Sequence, residues 1–168
     1  MKKHSAKFIL LFMILVTGCA ADYFTKQWAV NTLKDSKTIS LVNGFVEISY
    51  TENRGMVFGV LNSRETLLKH YLLTGLSLIS IFVVLCIIWQ IREFSFFYHL
   101  PFFIILSGAL GNLMDRIRVG HVVDFIHIHF RNIIDWPFLF NVADILICIG
   151  GILLFVLIFS VLPLRQKQ

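Results

Sequence analysis

Residues 96–125 read FFYHLPFFIILSGALGNLMDRIRVGHVVDF, an apolar run that closes in a dense polar cluster and then reaches an aspartate. Phe96–Met114 is apolar enough and, against a requirement of about 20 residues, long enough for a membrane-spanning helix. Within it Gly108, Asn112 and Arg116 recur every four residues, which stacks them on one helix face. The glycine permits close approach, while the amide and guanidinium point the same way. Paired Arg donors can hold a carboxylate, a carbonyl or a lipid phosphate. Helix packing through Gly108 and Gly111 with a snorkelling Arg accounts for the glycines. It does not account for Asn112, Asp115 and Arg116 together, so the cluster is read as functional.

Composition agrees with a membrane setting. The 168 residues are 57% hydrophobic, with a mean hydropathy of +0.79 and 17 Phe. Soluble domains hold about 45–50% apolar residues. Three further stretches reach spanning length, giving four spans at about Phe8–Lys26, Leu67–Ile91, Phe96–Met114 and Phe138–Leu162 in one integral membrane domain, 1–168. The net charge of +5 and pI near 9.3 gather at the ends of these runs, as basic charge does at membrane interfaces. No nucleic-acid motif is visible, and no nucleic-acid partner is expected. Basic density near the span ends (Lys2, Lys3, Lys7, Arg92, Arg165, Lys167) places both termini in the cytoplasm. Cys19, Cys86 and Cys148 are odd in number and sit in apolar segments, which argues against disulfides and zinc.

The opening MKKHSAKFILLFMILVTGCAAD has a basic start, an apolar core and Val-Thr-Gly-Cys, similar to a lipoprotein signal peptide cut before Cys19. The apolar run continues to Phe24, so an uncleaved first span is expected. Inside it Asp22 and Lys26 lie four apart on one helix face, acid first, the better order for an ion pair. The pair either anchors the helix end or supports a site at that membrane face. Residues 39–50, ISLVNGFVEISY, alternate around Asn43-Gly44, a two-residue hairpin signal. Asn62 and Glu65 have capping-box spacing. The fold class expected is therefore a mainly α membrane protein: four transmembrane helices, a small extracytoplasmic β-sheet and a short surface helix, the last two within about 38–66.

Two aspartates stand out, Asp124 after the third span and Asp144 in FNVADILICIG at the start of the fourth. An Asp at a membrane-helix centre costs about 2.5–3.5 kcal/mol on insertion scales and is a functional candidate by default. Asn141 and Asp144 are three apart with small Ala143 between them, sharing a face. If the carboxylates meet, burial and like charge raise one pKa, and the pair shares a proton. One then activates water while the other polarises a carbonyl. A second class stays open on these residues, a binding or transport protein that relays protons or ions through the same aspartates. A third is a lipidated protein processed at Cys19. The His127-x-His129 pair lacks a third ligand at suitable spacing, so neither a metal site nor a cofactor is expected.

The motifs DYFTK, ENRGMVFG, SGALGNLMDRIRVGHVVDFI and FNVAD, in order across nearly the whole chain, resemble lipoprotein signal peptidase, the signal peptidase II family of bacterial aspartic proteases. The resemblance implies a multi-pass inner-membrane endopeptidase with its active site near the extracytoplasmic face. It would cut diacylglyceryl-modified prolipoproteins just before the lipidated cysteine. It implies Asp124 and Asp144 as the catalytic dyad. It also implies support or substrate-binding roles for Asp22, Lys26, Asn53, Gly108, Asn112, Arg116, Asn141 and Ala143. Prolipoprotein substrates and membrane lipids are the implied partners, with inhibition by globomycin and a monomeric state. Met56 and Val57 stand where the family often has small residues, which bears on the shape of the cleft.

Overall fold

The computed structural model describes residues 2–35, 38–41, 45–55, 66–128 and 139–165. Four long helices, α1 (Lys2–Leu33), α2 (Thr66–Gln90), α3 (Phe96–Val119) and α4 (Val142–Arg165), each contain a stretch apolar and long enough to cross a membrane. Their exposed faces carry large apolar side chains such as Phe12, Leu76, Phe82, Phe97, Ile152 and Phe155, which suits a lipid surround. The central helix is α3. It touches all the others and is the most buried of the four. Ile81 and Ile88 of α2 pack on Phe102, Leu106 and Leu113 of α3.

Two helices run further outward than their apolar stretches predict. At about 1.5 Å per residue, the 32 residues of α1 span roughly 48 Å, more than the ~30 Å hydrocarbon core. The excess beyond Lys26 is stabilised because Ala29 and Leu33 pack on Val123 and Phe125 of the sheet. Helix α3 continues past Met114 to Val119, with Arg116 and Arg118 in its last turn, where cations favour the helix dipole. It stops at Gly120, whose φ of 80° takes the left-handed cap and whose N–H donates to the Arg116 carbonyl. Helix α4 starts later than expected, at Val142, because Asn141 caps it.

The sheet is larger than the 38–66 region predicts. Strands β1 (Ile39–Leu41), β2 (Val46–Asn53), β3 (Val122–Ile128) and β4 (Leu139–Phe140) form one antiparallel sheet in that order. The first pair has Leu41 opposite Val46; the turn expected at Asn43-Gly44 lies outside the described residues. The missed half comes from the α3–α4 connection. There the Ile126-His127-Ile128 alternation is strand periodicity, with His127 paired to Glu47 and Leu139; His129 lies outside the described residues. The capping box at Asn62 and Glu65, the short surface helix and the Met56-Val57 departure also fall outside them, while Thr66 onward belongs to α2.

Glycines set the contact between α3 and its neighbours. A Cβ on Gly108 would fall on the Ala143 carbonyl oxygen, and one on Gly111 on the Asp22 carboxylate. The first obstacle is backbone, and the second is a side-chain carboxylate held by Lys26 and the Ala143 N–H. Gly108→Ala should therefore lower the thermal midpoint in detergent, by about 1–3 kcal/mol of stability as overpacking does, since α4 must move off α3. An unchanged midpoint would show that the helices have slack.

Candidate active site

The polar residues singled out in the sequence converge at the sheet end of the bundle. Asp124 sits on β3 opposite Thr51, two residues from the end of β2, and is only 2% exposed. Its Oδ2 accepts from the Asn53 side-chain amide at 2.8 Å and its Oδ1 from the Asn141 amide at 2.7 Å. Asn53 is braced in turn, its Oδ1 accepting the Gly55 N–H at 2.8 Å where φ of 82° turns the chain.

Asp144 is placed by the start of α4. Asn141 and Asp144 form a reciprocal capping box: the Asn141 Oδ1 accepts the Asp144 N–H at 3.0 Å, and the Asp144 Oδ2 accepts the Asn141 N–H at 3.2 Å. The three-residue spacing read as a shared face is thus also the spacing of a cap. It puts a carboxylate in the first helical turn, where the dipole favours negative charge. A further free donor of that turn, the Ala143 N–H, goes to Asp22 Oδ1 at 2.8 Å, joining α4 to α1.

Two amides connect the carboxylates. The Asn141 amide nitrogen that donates to Asp124 also donates to Asn112 Oδ1 at 3.2 Å, and the Asn112 nitrogen donates to Asp144 Oδ1 at 2.8 Å. The relay Asp124–Asn141–Asn112–Asp144 joins β3, α3 and α4. Its direction is set from below, because Lys26 Nζ donates to Asn112 Oδ1 at 2.9 Å. With its oxygen claimed by the ammonium, Asn112 must turn its NH₂ toward Asp144. Lys26 is 1% exposed and is neutralised by Asp22 at 2.8 Å and Asp115 at 2.9 Å. The Asp22–Lys26 pair is therefore buried and joined through Asn112 to the residues around Asp144.

The amides of Asn112 and Asn141 are spent on the carboxylates, so in this arrangement they position groups and have little left for a substrate backbone. Arg116 differs. It is half-buried, donates to the Asn112 carbonyl at 3.3 Å and to the Ser77 hydroxyl at 3.2 Å, and is turned toward α2. Gly108 and Ala143 take part through packing.

Asp115, named in the sequence as part of the functional cluster but given no role of its own, takes a definite place here. Besides pairing with Lys26, its Oδ2 accepts the Val123 N–H at 3.2 Å, tying β3 to α3 next to Asp124. Its place three residues after Asn112 was the available signal. Electrostatically, burial pushes the Asp124 carboxyl up to about 6. The Asn53 and Asn141 amides and Lys26 pull the other way, while the charge of Asp144 adds to the rise. Such a carboxyl can hold a proton near neutrality and give it to a developing oxyanion.

Comparison with known proteins agrees with the fold. Residues 13–160 match the family model described as Signal peptidase (SPase) II. The lipoprotein signal peptidase of Clostridium novyi (strain NT) is 37% identical over 145 residues, covering 84% of this chain and 92% of that protein. That of Clostridioides difficile (strain 630) is 35% identical over 146 residues, covering 87% and 92%. A solved bacterial membrane enzyme superposes with a TM-score of 0.70 at 25% identity, covering 89% of this chain and 92% of its own. This chain, with four helices long and apolar enough to cross a membrane and matched along most of its length, belongs to the signal peptidase II family of aspartic proteases.

Proposed function

We propose that this protein removes signal peptides from prolipoproteins, cutting just before the lipid-modified cysteine, with Asp124 and Asp144 as its catalytic pair. The observation that carries the reading is the amide relay. It holds two carboxylates at one end of the bundle, next to helices whose outer faces suit lipid. A substrate helix arriving from the bilayer would meet water and acid–base groups there together.

Asp144, half-buried, takes a proton from water as the water oxygen attacks the scissile carbonyl carbon. Asp124 gives its proton to the carbonyl oxygen. Collapse of the resulting diol breaks the C–N bond, Asp144 passes the proton to the leaving nitrogen, and Asp124 recovers its own. Asn53 and Asn141 hold Asp124 through both oxygens, and Asn112 holds Asp144. The basic end of the bundle faces the cytoplasm, where Lys7 Nζ donates to the Arg92 and Phe94 carbonyls at 2.8 Å each. The active site then lies at the extracytoplasmic face.

The reading is tested on a purified lipidated precursor in detergent with chelator present. Intact masses should place the cut immediately before the modified cysteine. A cut elsewhere, or activity abolished by the chelator, would reject it.

The pH dependence follows from Asp124. Because it must carry the proton, kcat/KM should fall as pH rises through about 6. Stability should follow the same group. Its carboxyl is raised from 3.8 in the free residue to about 6 in the fold, so the folded state holds the proton more tightly. The stability this contributes is fully present below 3.8 and lost as pH rises through about 6. The amount is on the order of 3 kcal/mol. The thermal midpoint should decline across that window in wild type and flatten in Asp124→Asn. Equal slopes in both would assign the decline to other groups.

A further inference from the structure

Asn53 holds one oxygen of Asp124 from an exposed position at the end of β2. Strand ends open readily unless contacts beyond the ladder tie them down. An exposed side chain at such an end keeps its aim when the backbone beneath it is fixed.

The tie lies on the other face of the sheet. Thr51 and Asn53 pair with Asp124 and Val122, so Tyr50, Glu52 and Val123 point the opposite way, toward α1. Glu52 gathers three partners there. Its Oε1 accepts from the Tyr50 hydroxyl at 3.2 Å and lies 3.9 Å from His121 Nε2, and its Oε2 accepts from Arg54 at 2.9 Å. These residues bracket Asn53: Tyr50 precedes it on β2, Arg54 follows it, and His121 stands just before the strand that carries Asp124. Tyr50 roots the group, because it packs with Ala29 and Leu33 of α1 against Val123 and Phe125, and Lys34 lies 5.9 Å over its ring. Single ion pairs at a surface contribute little. Here one carboxylate joins two strand ends to a packed tyrosine. Its hydrogen bond with Arg54 holds the Glu52 carboxyl below the usual range, so it stays charged where Asp124 titrates.

We propose that Glu52 is a positioning residue for Asp124: it clamps the end of β2 to the start of β3 and so keeps the Asn53 amide on the Asp124 carboxylate. The inference rests on the catalytic-pair reading above and adds to it a residue on the far face of the sheet. Asn53 donates to the charged form of Asp124 and so draws its pKa down. A slack clamp withdraws that donor, and the Asp124 carboxyl then titrates higher. The direct field of Glu52 acts in the opposite sense, since deleting a negative charge lowers the pKa of a nearby acid. The two accounts therefore differ in sign. The other charges around Asp124, namely Lys26 of α1, Asp115 and Arg116 of α3 and Asp144 of α4, are the same in both.

The Asp124 carboxyl is followed by carbon-13 NMR of the full chain in detergent, its signal assigned by its loss in Asp124→Asn. The pH profile of kcat/KM for a lipidated precursor is measured alongside. In Glu52→Ala the NMR midpoint should rise from about 6 by about one pH unit, the scale of one hydrogen bond to a charged acceptor. The falling limb of kcat/KM should move up with it. Tyr50→Phe removes one arm of the clamp and keeps the packing, so it should shift both in the same direction by less. Glu52→Gln keeps acceptors for Tyr50 and Arg54 and should return most of the wild-type value. Asn53→Ala should raise the midpoint as Glu52→Ala does, and combining the two should add nothing further. Should Glu52→Ala fail to fold, Tyr50→Phe decides by the same sign. A midpoint that stays put in the clamp variants, moves down, or shifts additively with Asn53→Ala overturns the positioning role. A rise in the NMR midpoint that kcat/KM does not follow leaves the clamp standing and rejects Asp124 as the proton donor instead.

Discussion

Asp124→Asn and Asp144→Asn should each lower kcat for prolipoprotein cleavage by about 10³-fold or more, with KM little changed. General acid–base groups contribute about 10²–10⁴-fold each, and in the proposed mechanism the two act as one unit, so removing either is expected to cost nearly as much as removing both. The amide is close in shape to the carboxyl but neither accepts the proton of water nor carries one to the carbonyl. It also meets the relay: Asp144 accepts on both oxygens, from Asn112 and from the Asn141 N–H, and an amide can satisfy only one. Folding is therefore measured alongside activity. A variant that keeps its thermal midpoint and substrate affinity but not its turnover places the defect in the chemistry. Retention of a tenth of wild-type kcat by either variant would remove that aspartate from the mechanism.

Lys26→Met should be the most damaging change to the fold among the site residues. Lys26 is 1% exposed, touches Asp22 and Asp115 at 2.8 and 2.9 Å, and orients Asn112. Methionine fills a similar volume, so the loss is electrostatic: two carboxylates are left facing one another without a cation. Breaking a buried pair by removing one partner costs about 3–5 kcal/mol. For a chain of this size that corresponds to a midpoint lower by about 10 °C. Activity should fall further than stability, because Asn112 loses the contact that aims its NH₂ at Asp144. Adding Asp22→Asn and Asp115→Asn to Lys26→Met should recover much of the midpoint and little of the turnover. A single variant with wild-type stability would show that water or relaxation compensates the charges.

Four spans and the two aspartates were legible in the sequence because hydropathy is a local property and each carboxylate lies beside an apolar run. The Asp22–Lys26 pair was equally legible, since a helix brings residues four apart together. The sheet was half legible. Its first hairpin carries a turn signal, whereas β3 comes from the stretch between the third and fourth spans, to which no strand was assigned, and β4 from the first residues of the expected fourth span.

The site itself is a product of tertiary structure. Asp22 reaches the Ala143 N–H across 121 positions, Asn53 reaches Asp124 across 71, and Lys26 reaches Asn112 across 86. No local pattern encodes such pairings, which depend on how closely α1, α3 and α4 approach at Gly108 and Gly111. The same packing turns Asn112 and Asn141 inward to hold carboxylates and leaves Arg116 facing α2. By itself the sequence determined which residues are costly to place in a membrane. Packing decided which partners offset that cost, because a buried polar group is stabilised only by the neighbour the fold brings to it.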